Sequence, residues 1–169
     1  VDGTMRADHS IDNLKKTTTN FEYDALGNLT KSVTINNEKI DKVDATGNPP
    51  TGGSPEIPAG FVISETFYTR NVDGTMRADH AIDNLKDTTT KFMYDSLGNL
   101  IKSVTVNNHD IPAVPPPGPG AVTNGPAGQP VLGSPLIRKD TVISETFYTR
   151  NVDGTMRADH SIDNLKKTT

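Results

Sequence analysis

TNFEYDALGNLTKSVTI, residues 19–35, sets apolar against polar residues at period two on both sides of a five-residue break. Phe21 and Tyr23 lie before the break; Leu29, Lys31, Val33 and Ile35 keep one phase after it. Successive strand side chains point to opposite faces, so this spacing predicts two β-strands. The break, Asp24, Ala25, Leu26, Gly27 and Asn28, is turn chemistry, with glycine where a positive φ is required. An antiparallel hairpin follows, with Asp24 and Gly27 as its turn residues. KFMYDSLGNLIKSVTV, residues 91–106, repeats the pattern through Phe92, Tyr94, Leu100, Val104 and Val106, with Asp95 and Gly98 at the turn.

The hairpin belongs to a larger repeat. Residues 1–37 return as residues 72–108 with 30 of 37 positions unchanged, and residues 152–169 match the first 18 without a difference. The offsets are 71 and then 80 residues. Ser10, Ala81, Ser161 and Lys16, Asp87, Lys167 show the third copy siding with the first, which suggests a higher period of 151 residues. Repetition of this kind decides architecture before any local reading. Both terminal copies are partial, so the sequence is expected to be a window on a longer array.

VISETFYTRN occupies 62–71 and 142–151, directly ahead of each later copy of VDGTMRADH. It is expected to form a strand paired with that copy, through a turn at Asp73 and Gly74. A two-residue Asp-Gly loop would oppose Arg70 to Arg77, and like charges across strands destabilise. A three-residue loop, with Gly74 left-handed, opposes Arg70 to Met76 instead and is preferred. Ile63, Phe67, Tyr68, Ile143, Phe147 and Tyr148 give this segment its apolar mass and make it the candidate assembly strand, within the chain or between chains. In RADHSIDNLKK, Ala7, Ile11 and Leu14 fall at helical spacing after Asp8, so a short helix is the secondary reading there.

All 12 prolines fall in residues 38–60 and 109–140, which differ in length by nine residues and account for the two offsets. Fixed flanks around variable length mark a connection. The expected division is a unit at 1–37, a linker at 38–60, a unit at 61–108, a linker at 109–140 and a unit at 141–169. Pro115, Pro116 and Pro117 favour polyproline II. Ile111, Val114, Val122, Val131, Leu132, Leu136 and Ile137 are equally consistent with an ordered arm. Between copies, Glu22 becomes Met93 and Thr30 becomes Ile101, both opposite the aromatics, which suggests a partly covered face in the second unit.

NFEYDALGNLTKSV (20–33) and KFMYDSLGNLIKSV (91–104) resemble the YD repeat of the RHS family. The resemblance rests on Tyr23, Asp24, Gly27, Asn28 and Leu29, and on Tyr94, Asp95, Gly98, Asn99 and Leu100. It covers about 28 of 169 residues. In that family such repeats form a β-ribbon spiralling into a shell, in secreted bacterial toxins and surface proteins. Family arrays place the motif every twenty or so residues, whereas here it occurs once per 71-residue offset. The resemblance therefore implies a hairpin built around Tyr-Asp and an exported bacterial protein.

The composition is 33% hydrophobic and 5% aromatic, without tryptophan or cysteine, at net charge −4. No basic cluster offers a face for nucleic acid. No apolar run reaches the ~18–20 residues of a membrane span, and the absence of thiols removes thiolate metal sites. His9, His80 and His160 each follow an aspartate, but a metal needs at least three convergent ligands and no local spacing supplies them, so they read as strand histidines. Residues 44–48 and 71–75 lack the alternating acidic ligands of a calcium loop. No nucleophile elbow, phosphate loop or HExxH motif occurs.

The expected fold is therefore all-β, with tandem repeats of antiparallel hairpins or small sheets joined by Pro/Gly-rich linkers. The expected function is structural: an extracellular or cell-surface fibre, stalk or matrix whose partners are neighbouring repeats or identical chains. No enzymatic chemistry, cofactor or metal is expected. A multivalent adhesin with one surface ligand site per repeat is the alternative, and a toxin-delivery shell is the second.

Overall fold

The structure is a computed structural model describing residues 5–40, 56–71, 73–110 and 136–165. Nine strands follow in chain order: β1 (His9–Asp12), β2 (Thr17–Tyr23), β3 (Leu29–Asn36), β4 (Val62–Arg70), β5 (Met76–Asp83), β6 (Thr88–Tyr94), β7 (Leu100–Asn107), β8 (Val142–Arg150) and β9 (Met156–Asp163). Each pairs antiparallel with the next, giving one nine-stranded meander in the order β1 to β9. The all-β expectation holds, but the hairpins do not form separate small sheets. β3 pairs with β4 and β7 with β8, so the ladder runs unbroken past both Pro/Gly stretches.

The helical reading of RADHSIDNLKK is wrong. His9–Asp12 and Met76–Asp83 are strands, followed by turns at 13–16 and 84–87. Asp12 Oδ1 accepts the backbone N–H groups of Leu14 and Lys15, and Asp83 Oδ1 those of Leu85 and Lys86. This side-chain capping ties the backbone into a turn in place of a helical ladder. Lys16 and Asp87 close the two turns at φ of 54° and 56°.

Residues facing each other across an antiparallel pair share a face of the sheet. One face carries hydroxyls: Thr19 faces Thr34 and Thr34 faces Ser64, while Ser32 faces Thr66. Phe21 and Tyr23 lie on this face too, by period two. The other face alternates aliphatic and charged groups, as where Val33 faces Glu65 and Glu65 faces Ile82. There is no second layer among the described residues, and the one buried apolar side chain among them is Ile57. Stability therefore rests on the backbone ladder and on contacts between neighbouring strands rather than on a core.

The meander sorts its connections onto two rims. The Tyr-Asp turns at 24–28 and 95–99 and the loops at 71–75 and 151–155 share one rim. The turns at 13–16 and 84–87 and the described bases of both Pro/Gly inserts share the other. Four strands separate corresponding features, or about 19 Å at the usual strand spacing.

Candidate functional site: the recurring turn, clamp and ladder contacts

Asp24 builds the Tyr-Asp turn. Its Oδ1 accepts the N–H groups of Leu26 (2.9 Å) and Asn28 (2.8 Å), and its Oδ2 accepts Asn28 Nδ2 at 2.8 Å. Asp95 holds Leu97 and Asn99 in the same way. The Asn28 side-chain donor, followed by its N–H, holds the Asp24 carboxyl below its ordinary value, and Asn99 does the same for Asp95. Gly27 and Gly98 both sit at φ 82°, as the turn chemistry anticipates. The preceding tyrosine reaches back to the neighbouring segment, Ala78 of β5 or Ala7 just ahead of β1. Tyr94 Oη donates to the Ala78 carbonyl at 2.6 Å with the Arg77 guanidinium 4.4 Å from its ring centre, and Tyr23 Oη donates to Ala7 at 2.8 Å. The Tyr-Asp pair thus ties a turn to its neighbouring strand.

Asp73 and Gly74 shape the second loop. Asp73 Oδ1 accepts the Thr75 hydroxyl at 2.6 Å and its N–H at 2.9 Å, and Gly74 takes φ 89°. Arg70 faces Met76, the register that the longer loop requires. Asp153, Thr155 and Gly154 repeat the arrangement.

The candidate assembly strand is an interior strand of its own chain. β4 lies between β3 and β5, and β8 between β7 and β9. Phe67 and Tyr68 point to opposite faces, as do Phe147 and Tyr148, while Ile63 and Ile143 occupy the extra positions of register shifts. Pairing with the copy that follows is thereby met within the chain. β4 and β8 have both edges occupied, so neither offers an open edge to another chain.

Two further constellations escaped the sequence. On the aliphatic and charged face, Lys31 faces Phe67 and Phe67 faces His80. The Phe67 and His80 rings stack at 4.5 Å and 11°, Lys31 Nζ lies 5.0 Å from the Phe67 centre, and it pairs with Glu65 at 2.5 Å. The Glu65 hydrogen bond raises the Lys31 pKa. Asp79 meets His80 Nδ1 at 2.7 Å. Lys102, Glu145, Phe147, His160 and Asp159 rebuild the group four strands on, with ring centres 4.6 Å apart. These residues are scattered in sequence and meet only once the β3–β4 register is known.

The second is a clamp. Asn36 is 1% exposed, and its Nδ2 donates to the Glu38 carbonyl at 2.7 Å and the Pro58 carbonyl at 2.9 Å. Asn107, 2% exposed, donates to His109 at 2.6 Å and Arg138 at 2.7 Å. Each asparagine closes the base of a Pro/Gly insert, and in the first insert Ile40 and Ile57 extend the closure as a bridge. Residues 41–55 and 111–135, including the polyproline reading and most of the proposed arm, lie outside the described residues. Met93 and Ile101 are 49% and 40% exposed, so none of the described residues provides the expected cover for that face.

Among the described residues, no group of three His, Cys, Asp or Glu side chains gathers to hold a metal. No helix among them is long and apolar enough to cross a membrane. No protein-family model matches the chain, and no curated protein matches it.

Proposed function

We propose that the chain is a structural subunit of an extracellular or cell-surface fibre, stalk or matrix, extended by strand pairing between repeats and between chains. The observation that carries the reading is the recurrence of one register. β3–β4–β5 pairing is repeated residue for residue where β7–β8–β9 stand, with the same clamp, loop and Lys-Phe-His group, and β1–β2 pairing is repeated where β5–β6 stand. An element that adds to itself without a change of register suits a load carried along one axis, as in other quasi-one-dimensional repeats. Export from a bacterial cell is part of the proposal, from the resemblance of the two Tyr-Asp turns to YD repeats. Negative-stain electron microscopy of native material tests it: ordered filaments are expected, and isolated flexible strings overturn it.

The adhesin reading is favoured by one feature, the emergence of two inserts of different length from the same rim. It predicts saturable binding to a cell or matrix surface, lost when both inserts are shortened. Closed hollow particles in the microscope would favour the shell.

A further inference from the structure

We propose that the two Pro/Gly inserts are locked at their bases by different chemistry. An Asp87–His109 ion pair closes the second in mildly acidic solution and weakens above neutrality, whereas a Lys16–Glu38 pair closes the first on both sides of neutrality. The inference goes beyond the assembly reading above and does not depend on it.

The two copies build the same base. Lys16 and Asp87 end the turns after β1 and β5 at φ of 54° and 56°. Their carbonyls accept the N–H groups of Asn37 at 2.8 Å and Asn108 at 2.9 Å. Thr18 Oγ1 donates to Asn37 Oδ1, and Thr89 Oγ1 donates to Asn108 Oδ1. The turn residue is thereby held against the first residue of the insert. In the first copy Lys16 Nζ lies 3.3 Å from Glu38 Oε1. In the second His109 Nδ1 meets Asp87 Oδ2.

Both partners differ between the copies, aspartate for lysine and histidine for glutamate, so the pair exchanges its signs and keeps its place. Either change alone would undo the pair, setting Asp87 against a glutamate or Lys16 against a histidine. The insert's first residue also serves the buried clamp, Glu38 offering its carbonyl to Asn36 and His109 to Asn107. Ion pair and clamp therefore share one residue at each base.

Lysine and glutamate side chains ordinarily stay charged from about pH 5 to 9, and imidazole changes charge within that range. The Asp87 carboxylate accepts, so the His109 ring donates from Nδ1. A neutral ring keeps only the hydrogen bond that one tautomer allows, and charge-assisted bonds are roughly twice as strong. The contribution is full on the acid side of the histidine range and is lost as pH rises through it. The other charged residues at this base are Lys86 in the turn and Asp110, Arg138, Lys139 and Asp140 on the insert's two limbs. Lys86 pairs with Asp83 at 3.1 Å, and Asp110 accepts the Lys139 N–H at 2.5 Å. Histidine is the one residue type among them that ordinarily changes charge near neutrality. The His109 and Asp87 side chains are 77% and 51% exposed, so the pair adds little to global stability and acts locally.

Amide hydrogen exchange of the full chain separates the two bases. Asn107 N–H donates to Thr141, Asn108 N–H to Asp87 and Asp140 N–H to Asn107, with Asn36, Asn37 and Gly60 as their counterparts in the first copy. Between pH 5.5 and 8, protection factors at Asn107, Asn108 and Asp140 are expected to fall about two- to fivefold, the range of a surface ion pair. Those at Asn36, Asn37 and Gly60 should hold. The double variant Asp87→Lys, His109→Glu should abolish the fall, and Lys16→Asp, Glu38→His should transfer it to the first base. A fall shared equally by both bases places the titration in His9, His80 or His160 and overturns the lock. So does a fall that survives Asp87→Lys, His109→Glu, or no fall at all.

Discussion

Gly27 and Gly60 share φ 82° but not their surroundings. A Cβ at Gly60 meets nothing within 4 Å, whereas at Gly27 it would collide with the Arg6 guanidinium, and at Gly98 it would come 2.6 Å from Asn71 Nδ2. Gly60→Ala should therefore cost the backbone strain alone, about 1 kcal/mol. Gly27→Ala and Gly98→Ala should cost more, because a side chain must also move; urea titration of the three variants checks the order. The aspartates set a pH dependence of defined sign. Asp24, Asp95, Asp73 and Asp153 are held below the ordinary value of 3.8 by donors present only in the fold. Their contribution is complete above that value and is lost as pH falls through the lowered ones. Thermal scans should show a melting temperature insensitive to these groups from neutrality to about pH 4, then a fall that Asp24→Asn lessens. The turn residues were legible in the sequence because Asp and Gly have few other reasons to stand between two period-two runs. The three-residue loop was legible because the shorter one sets two arginines face to face. Asn36 and Asn107 were not: a polar residue at a strand end gives no sign that it will be buried.

At the scale of elements, the inserts are held at their bases. Asn107→Ala removes the two part-buried hydrogen bonds to the His109 and Arg138 carbonyls, which at about 0.5–1.5 kcal/mol each should cost about 1–3 kcal/mol and loosen β7 from β8. Replacing residues 41–55 with a short Gly-Ser turn should leave the melting temperature within a degree or two, since the Asn36 clamp and the Ile40–Ile57 bridge stay. A large loss on shortening would show that the insert itself carries stability. Length and composition mark these stretches as connections but say nothing of the strand pairing across them. Long-range register depends on which strands meet, and period-two alternation is the same for every candidate partner. The helical spacing of Ala7, Ile11 and Leu14 misled for a related reason. Strand and turn place those residues in unrelated surroundings, and the deciding group was the Asp12 carboxylate.

For the whole molecule, a sheet without a second layer should have an unusual thermodynamic signature. Heat-capacity change on unfolding follows apolar area hidden from water, at about 12–15 cal/mol/K per residue in ordinary domains. With Ile57 the one buried apolar side chain among the described residues, calorimetry should return a value well below that range. Circular dichroism should show β-structure without a helical component. Hydrogen exchange should be slowest in β3 to β7 and fastest in β1, which is four residues long and paired on one side. The fold class and the hairpins were readable from one chain's alternation. The single continuous sheet was not, because nothing in residues 38–60 states that its ends meet. The four-strand period has a further consequence, for inheritance. Removing residues 37–107 joins Asn36 to Asn108, and β3 then meets β8 in the register it had with β4, since Lys31 faces Phe67 as Lys102 faces Phe147. Near-identical copies invite slippage when a gene is replicated, and here a slip of one whole copy changes length without misaligning a single strand. Natural variants of such a chain are expected to differ by whole steps of four strands.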